Sequence, residues 1–517
     1  MSCAERSPRQ RPFPLEIRAG RTPDAPALVW REGPGAPIRT LTYAALEKHT
    51  RSSAHALLAA GVASGERVAL LLPQGPRYPL ALLALLRAGC VAVPLSSRLP
   101  ANSIPELLGR VDCRRLIARG GVSALSATGI EILDPATLGL PESCPPPAAP
   151  DITGKPLPPF DPHAPATIVF TSGSTGVPKA ALHSFENHWA SAAGANRNLH
   201  LGPGDRWLLS LPLWHVGGLA VIFRCLQAGA AVALAGDGES PADAVPALGV
   251  THISLVATQL HRLLCDPRGR EALRSLKGVL LGGGPLPAPL IGKAAALGAR
   301  LVTSYGSTET SSQATATRPG DPPDALRTAG RALPFREIAV DAGGEILARG
   351  RTLFLGYLED GRINAARDGS GWFHTGDLGR IGEAGRLVVE GRRDNMFISG
   401  GENIHPEEIE RALADFPGVL EALVAPVPDP EFGARPVAFL RTAGGTLPEP
   451  AVLGRFLRNG LPGFKVPVRY LSWPDLADGM KPDRRAFAAL AQANPDNCSP
   501  VNSSGTEQRG ALPGKSC

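Results

Sequence analysis

Helix-like and strand-like segments alternate along the first 140 residues of this 517-residue chain. Residues 41–62 carry apolar side chains at helical spacing, 67–72 form a short apolar run typical of a buried strand, and 79–95 repeat helix then strand. Such alternation predicts a layered α/β fold built on a parallel sheet. A proline-dense segment at 144–165 is interpreted as an extended connector, after which the alternation resumes.

The pattern changes after residue 330 to short strands and turns, and a compact α+β unit of about 100 residues, a size typical of a domain, begins near residue 394. We therefore predict an N-terminal domain at 1–390, made of layered α/β subdomains plus a β-rich subdomain. A small α+β domain is predicted at 391–493. The polar stretch 494–517 has no apolar period and is predicted to be a disordered tail.

Composition excludes several function classes. The chain has 53 basic and 47 acidic residues, a net charge of +6, and 5% aromatic residues, so a nucleic-acid partner is not expected. Its eight cysteines form no CxxC pair, which argues against a zinc site or a disulfide framework. The N-terminal segment lacks the apolar core of a signal peptide, and the apolar run 78–95 is interrupted by Pro79 and Arg87. We expect a cytoplasmic protein without a membrane span.

The stretch TSGSTGVPK (171–179) follows an apolar strand and has the composition of a phosphate-binding loop. Its hydroxyls and backbone N–H groups can surround phosphate oxygens, its glycines permit close backbone approach, and its lysine adds a positive charge. It is not a Walker A loop, because GxxxxGK[ST] is absent. A simple Ser/Gly-rich turn is the alternative. The candidate phosphate-binding residues are Thr171, Ser172, Gly173, Ser174, Thr175, Gly176 and Lys179.

The loop is followed, in order, by six further motifs. They are LPLWHVGG (211–218), GGGPLP (282–287), YGSTET (305–310), GEILARGRTLFLGY (344–357), WFHTGDLG (372–379) and GRRDNMFISGGENIHPEEIE (391–410). Together they resemble the signature motifs of the adenylate-forming superfamily, which includes acyl-CoA synthetases, firefly-type luciferases and peptide-synthetase adenylation domains. The resemblance spans roughly 25–490. It implies activation of a carboxylic acid by ATP and Mg²⁺ to an acyl-adenylate, then transfer to coenzyme A.

The resemblance implies nucleotide-binding roles for several residues of these motifs. Glu309 resembles the family's magnesium carboxylate, with a solvated surface acid as the alternative, and Thr308 its catalytic α-phosphate contact. Asp377 resembles the acid that accepts the ribose hydroxyls, and Arg392 the arginine beside it. The remaining nucleotide-binding candidates are Tyr305, Gly306, Gly282, Gly283 and Gly284; for the glycine triplet a tight turn after a strand is nearly as good an interpretation.

The resemblance implies that the C-terminal domain moves between the two half-reactions. Asp394 matches the hinge position, and Gly400 and Gly401 match the loop presented to coenzyme A. Lys481 resembles the late catalytic lysine, although Met480 stands where the family usually has glycine. The other lysine of this region, Lys465, is interpreted as part of a structural strand entry.

The acid pocket is expected near 211–230 and 304–313. His215 resembles the family's gating aromatic or histidine, which makes it a catalytic and acid-binding candidate; a packed neutral histidine is the alternative. Arg224 interrupts an apolar helix pattern, so it either extends to the surface or pairs with an anion, because a buried arginine without a counter-ion is costly. Further acid-binding candidates are Thr258, Gln259 and Ser304.

Several longer segments, including 209–224, 255–264 and 392–411, closely resemble the o-succinylbenzoate–CoA ligase family of menaquinone biosynthesis. Its diacid substrate keeps one free carboxylate, which Arg224 could bind. The leading hypothesis is therefore a ligase for that small-molecule diacid, and a homo-oligomer is possible. The alternatives are a ligase for another aryl or medium-chain acid, or a catalytically silent nucleotide-binding relative. No carrier-protein serine motif follows, which argues against a peptide-synthetase module.

Overall fold

The structure, a computed structural model, describes residues 11–119, 125, 128–140, 156–171, 178–283, 286–359, 361–400, 402–474 and 483–493. The chain divides into two compact units, Met1–Glu390 and Gly391–Cys517. Both mix helices and strands, so the α/β prediction for the large unit and the α+β prediction for the small one are confirmed. The predicted tail at 494–517 and most of the predicted connector lie outside the described residues.

The first unit contains an eight-stranded sheet that carries the candidate phosphate loop. Its spatial order is β19 (Arg362–Asn364), β18 (Gly356–Glu359), β8 (Lys179–Ser184), β7 (Pro165–Thr171), β4 (Val91–Pro94), β3 (Arg67–Leu71), β5 (Arg115–Ala118) and β6 (Glu131–Leu133). The strands from β7 to β6 pair in parallel. From β7 to β19 the pairing is antiparallel. The sheet is thus mixed, whereas the alternation had predicted a parallel one.

A nine-stranded sheet of the same unit has a similar plan. Its order is β15 (Arg331–Ala332), β14 (Ser312–Ala316), β13 (Leu301–Ser307), β12 (Gly278–Leu281), β11 (His252–Leu255), β9 (Arg206–Leu208), β10 (Ala231–Leu234), β1 (Pro26–Trp30) and β2 (Arg39–Thr42). The strands from β13 to β1 pair in parallel, and both edges are antiparallel. Strands β10, β11 and β12 are buried at every residue, as expected for parallel strands covered on both faces.

Helices cover these two sheets. They are α1 (Pro14–Arg21), α2 (Tyr43–Ala59), α3 (Arg77–Arg87), α4 (Ile104–Gly109), α5 (Phe185–Leu199), α6 (Val216–Ala228), α7 (Pro241–Ala247), α8 (Ala257–Cys265), α9 (Pro267–Ser275), α10 (Ala288–Ala296) and α11 (Pro323–Leu326). The apolar run 79–95 is the buried α3 followed by β4, as predicted. Ser184 and Asn187 form a capping box that starts α5 directly after β8. Among the described residues, no helix has the length and apolarity needed to cross a membrane.

A four-stranded sheet completes the first unit and forms the predicted β-rich part. Its order is β16 (Arg336–Val340), β17 (Glu345–Gly350), β20 (Phe373–Ile381) and β21 (Leu387–Arg392). The first three strands pair antiparallel, and Leu347 lies opposite His374. This register brings motif 344–357 beside motif 372–379.

The second unit has its own apolar core. A hairpin of β22 (Phe397–Ser399) and β23 (Glu402–Ile404) precedes a three-stranded sheet of β24 (Val419–Asp429), β25 (Gly433–Thr442) and β26 (Arg469–Ser472). Helices α12 (Pro406–Ala414), α13 (Pro450–Arg458) and α14 (Arg484–Ala493) accompany them. Arg484 of α14 pairs with the buried Glu410 of α12, so a charge that would be costly to bury alone has a counter-ion.

Candidate active site

The candidate phosphate loop joins two paired strands. Thr171 ends β7, Lys179 begins β8, and the two residues face each other in the antiparallel ladder. The ladder therefore brings both ends of the loop together, and Lys179 is exposed there. Ser172, Gly173, Ser174, Thr175 and Gly176 lie outside the described residues, so their roles remain predictions.

Lys179 and Glu309 are linked through one tyrosine that sequence reasoning had not singled out. The Tyr357 hydroxyl donates a hydrogen bond of 2.6 Å to Glu309 Oε1. The Lys179 ammonium lies 5.0 Å from the centroid of the same ring, which is within cation–π range. Residues from three separate motifs thus meet at one point. Only the tertiary structure reveals this, although Tyr357 ends a recognised motif.

The turn that carries Thr308 and Glu309 is fixed by hydrogen bonds to its backbone carbonyl oxygens. His183 Nε2 donates to the Thr308 carbonyl oxygen at 2.7 Å, and the Phe354 N–H donates to the Glu309 carbonyl oxygen at 2.8 Å. Burial lowers the pKa of His183, so the imidazole stays neutral. A Cβ at Gly306 would collide with the Ser312 carbonyl oxygen, so only glycine fits there.

Asp377 is the second carboxylate that accepts a hydrogen bond from a tyrosine. The Tyr305 hydroxyl donates to Asp377 Oδ2 at 2.6 Å. Burial, and next the charge of Asp377, raise the pKa of Tyr305 well above its usual value, so the phenol keeps the proton that it donates in this hydrogen bond. The nucleotide candidates Tyr305 and Asp377, taken from separate motifs, are therefore in contact.

The turn before Asp377 depends on an acid–histidine pair. Buried Glu345 accepts the Gly376 N–H at 2.8 Å and His374 Nδ1 at 2.9 Å. The other imidazole nitrogen lies 3.4 Å from Asp368. The hydrogen bond to Glu345 raises the pKa of His374. This pair, which the sequence analysis missed, fixes the backbone on which Asp377 stands.

The glycine triplet follows β12 at the carboxyl edge of the nine-stranded sheet. Gly283 has φ +90°, a conformation that favours glycine, and Ser304 Oγ donates to the Leu281 carbonyl oxygen at 3.1 Å. A Cβ at Gly282 would lie 3.1 Å from Ser304 Oγ. The two predicted groups, adenine-contacting glycines and an acid-pocket serine, are thus neighbours; Gly284 lies outside the described residues.

Arg224 is buried rather than extended to solvent, with 1% of its surface exposed. Its Nη2 donates to Ser312 Oγ at 3.1 Å and to Gln313 Oε1 at 2.9 Å, and its guanidinium lies 5.0 Å from the Trp207 ring. Among the described residues, Nε and Nη1 have no hydrogen-bond partner. Burial lowers the pKa of Arg224 to about 10, so the group is still a cation at neutral pH.

A second buried arginine, Arg336, stands close to Arg224 and was missed by sequence reasoning. It donates to the carbonyl oxygens of Gln313, Ser191 and Pro334. Burial, and next the charge of Arg224, lower the pKa of Arg336 to about 9. Within the described part of the chain, neither guanidinium forms an ion pair with a carboxylate. The described residues therefore leave the positive charge of this region without a carboxylate counter-ion.

The other acid-pocket candidates have structural contacts of their own. His215 precedes α6 and is exposed, and its ring lies 6.2 Å from that of Trp214. Partial desolvation and the charge of Arg98 lower its pKa. Gln259 accepts the Val256 N–H at 3.0 Å and donates to the Ser210 carbonyl oxygen at 3.3 Å, so its amide helps start α8. Thr258 lies in the first turn of that helix, half-buried.

The second unit carries the hinge and coenzyme A candidates. Arg392 lies 3.7 Å from Asp394. Gly400, with φ +59°, turns the β22–β23 hairpin and donates to the Phe432 carbonyl oxygen at 2.9 Å. Lys465 lies in a 3₁₀ turn rather than at a strand entry and pairs with Glu408 at 2.6 Å. Gly401 and Lys481 fall outside the described residues.

Two family matches agree with this organisation. Residues 15–358 match the AMP-binding enzyme family, and residues 408–477 match the AMP-binding enzyme C-terminal domain. The chain belongs to the AMP-binding enzyme family.

Within that family, this chain is similar to 2-succinylbenzoate–CoA ligases. It is 36% identical over 460 residues to the enzyme of that name from Salmonella typhimurium, covering 89% of this chain and 94% of that one. Its fold matches o-succinylbenzoate CoA synthetase from Bacillus subtilis in complex with the acyl-adenylate intermediate OSB-AMP, with a TM-score of 0.80, 31% identity, and coverage of 92% and 98%. The complex of the Bacillus enzyme with ATP and magnesium ion also gives a TM-score of 0.80, at 30% identity, with coverage of 92% and 99%.

Proposed function

We propose that this protein is an ATP-dependent acid–CoA ligase that acts on 2-succinylbenzoate in menaquinone biosynthesis, in the cytoplasm. The similarity to enzymes of that name over most of both chains supports the proposal. The observation that carries the choice of acid is Arg224, a buried cation with no carboxylate partner among the described residues.

In the first half-reaction, an oxygen of the substrate carboxylate attacks the α-phosphorus of ATP, and the bond from that phosphorus to the β-phosphate oxygen breaks. Pyrophosphate leaves with the electron pair, and an acyl-adenylate forms. Anions meet in this step, so fixed positive charge and hydrogen-bond donors must face them. Lys179 and the loop 171–179 would hold the departing phosphates, Thr308 would contact the α-phosphate, and Lys481 would bridge the attacking carboxylate and that phosphate.

Glu309 suits a magnesium site. Its Oε1 accepts from a neutral phenol, which leaves the negative charge intact, and its Oε2 has no partner among the described residues. Mg²⁺ prefers such carboxylate oxygens together with substrate phosphates, and it would supply charge neutralisation of the triphosphate. Asp377, held by Tyr305, would accept the ribose hydroxyls, and Arg392 would contact the ribose.

In the second half-reaction, the sulfur of coenzyme A attacks the acyl carbon, the bond from that carbon to the AMP oxygen breaks, and the thiol proton passes to water. The small domain at 391–493 would turn about Asp394 between the two steps and present Gly400 and Gly401 to the thiol. Gly400 already has the left-handed backbone that such a loop needs.

The acid pocket would recognise the second carboxylate of the substrate by its negative charge. Arg224 has two donor atoms without partners among the described residues, and Arg336 adds a second positive charge close to it. Holding two guanidinium groups in a low-dielectric interior is costly without an anion. A diacid would supply that anion, whereas a monoacid that reacts through its only carboxylate would not.

A pyrophosphate-release assay tests this proposal. The panel contains 2-succinylbenzoate, 2-butanoylbenzoate and 4-oxo-4-phenylbutanoate, so each monoacid lacks one of the two carboxylates. We expect the diacid to have the lowest KM by far, and we expect Arg224→Ala to raise its KM while changing the KM of the reactive monoacid little. Equal loss on diacid and monoacid would remove the substrate role of Arg224.

A ligase for another aryl or medium-chain acid is the second candidate, and it would show as higher kcat/KM for benzoate or octanoate in the same panel. A silent nucleotide-binding relative would form no AMP with any acid and coenzyme A.

A further inference from the structure

Tyr357 occupies a fixed place between two oppositely charged groups. It lies on β18, where it pairs with Ala181 of β8, two residues beyond Lys179. Tyr357 is 9% exposed, and its ring packs edge-on against Phe354, with centroids 4.8 Å apart. Backbone pairing and packing therefore leave the side chain little freedom.

Two parts of the Tyr357 side chain contact different partners. The hydroxyl donates to Glu309 Oε1, and the ring attracts the Lys179 ammonium. Lys179 and Glu309, both within the described residues, form no ion pair with each other. An ammonium bound directly to Glu309 would neutralise the carboxylate and compete with a metal ion. A phenol orients the carboxylate without adding charge.

We propose that Tyr357 is a positioning residue that orients Glu309 toward a divalent cation and keeps Lys179 from neutralising it. The inference depends on the proposed function, because that function assigns Glu309 to Mg²⁺ and Lys179 to the phosphates. The inference predicts two effects that can be separated: the hydroxyl acts through Glu309, and the ring acts through Lys179.

Two substitutions separate these contacts. Tyr357→Phe keeps the ring and removes the hydroxyl, and Tyr357→Leu removes both. A hydrogen bond to a charged group contributes about 1.5–3 kcal/mol, so we expect Tyr357→Phe to raise the Mg²⁺ concentration for half-maximal pyrophosphate release by about tenfold or more. The KM for the acid should not change. Tyr357→Leu should show the same Mg²⁺ effect and, in addition, weaker inhibition by pyrophosphate.

A binding measurement gives a readout that does not need turnover. Mn²⁺ affinity is measured by electron paramagnetic resonance in the presence of a non-hydrolysable ATP analogue, for the wild type, Tyr357→Phe, Glu309→Gln and the double variant. Because the hydroxyl is proposed to act through Glu309, we expect Tyr357→Phe to weaken Mn²⁺ binding in the wild type and to add nothing to Glu309→Gln. Tyr78→Phe is the matched control, since it removes a buried hydroxyl without a partner among the described residues.

The outcomes separate this inference from the proposed function. If Glu309→Gln weakens Mn²⁺ binding and Tyr357→Phe does not, Tyr357 only packs and the inference is wrong. If Glu309→Gln itself leaves Mn²⁺ binding unchanged, the metal assignment within the proposed function is wrong, and the inference fails with it. Additive effects of the two substitutions would also overturn the inference, because the hydroxyl would then act elsewhere. Thermal melting of each variant excludes loss of folding as the cause.

Discussion

The nucleotide side and the acid side of the first unit carry charges of opposite sign. On the nucleotide side, Glu309 and Asp377 each accept a hydrogen bond of 2.6 Å from a tyrosine hydroxyl. On the acid side, Arg224 and Arg336 are buried and donate to neutral oxygens. In both places a neutral partner sets the orientation of a charged group without cancelling its charge. Each side is therefore prepared for a ligand of the opposite sign.

The largest expected effect comes from removing a charge on the nucleotide side. Glu309→Gln keeps the shape of the side chain but loses the proposed magnesium ligand, so we expect adenylation, measured by pyrophosphate release, to fall by about 10²–10³-fold. The exposed acid Glu383 provides the control variant Glu383→Gln, which should retain wild-type activity. If the Glu309 variant kept full activity, Glu309 would be a solvated surface acid without a role in metal binding.

Removing the charge on the acid side should affect binding rather than chemistry. Truncating one partner of a buried charge pair costs about 2–5 kcal/mol, so we expect Arg224→Ala to raise the KM for 2-succinylbenzoate by about 30-fold or more. The KM for ATP should not change. Arg224→Lys keeps the charge but loses the planar guanidinium, and it should recover part of the affinity. Steady-state kinetics with both substrates varied checks these values, and an equal rise in the KM for ATP would contradict the comparison.

The two tyrosine–carboxylate pairs should differ in which ligand they affect. Tyr305→Phe removes the hydrogen bond to Asp377, and we expect the KM for ATP to rise roughly tenfold with no change in the Mg²⁺ requirement. Tyr357→Phe should show the reverse pattern. Titrating ATP and Mg²⁺ separately for both variants tells the pairs apart, and identical profiles would show that they act as one unit.

The smallest expected effect concerns the pair beneath Asp377. The hydrogen bond to Glu345 raises the pKa of His374 above its usual value, so the folded state binds the proton more tightly than the unfolded state. The stabilisation is fully present below about pH 6.5 and disappears as the pH rises through the raised pKa. Because His374 is about half exposed, with 47% of its side chain accessible, we expect less than about 1 kcal/mol.

Melting temperatures of the wild type and His374→Gln across pH about 5.5 to 8.5 check this sign. The difference between the two proteins should shrink as the pH rises. A difference that grows with pH would show that His374 stabilises the turn as a neutral group.

Much of the fold followed from local patterns. The apolar periods at 41–62 and 79–95 predicted α2, α3 and β4, because side chains on one buried face must repeat with the period of the element. The antiparallel edges of both large sheets were not predicted. One of these edge pairings, β8 with β18, joins segments far apart in the chain, and no local period reports it.

The candidate site was predicted only as far as its motifs reach. Glu309, Asp377 and Lys179 were singled out, yet their contacts with Tyr357 and Tyr305 were not, because each contact joins residues from different motifs. Arg224 was singled out by its place in an apolar helix. Arg336 had no such signal, since it begins a strand in a region of mixed polarity.

The sequence by itself determined the order of the motifs, the class of chemistry they support and the presence of a lone arginine in an apolar helix, because these depend on residue type and spacing. Only the tertiary structure decided which charges are left without counter-ions. Burial and partnership are properties of the packed chain: Arg224 became a candidate anion site only once it proved to be 1% exposed beside a second cation. The same packing placed a neutral phenol, rather than Lys179, against Glu309.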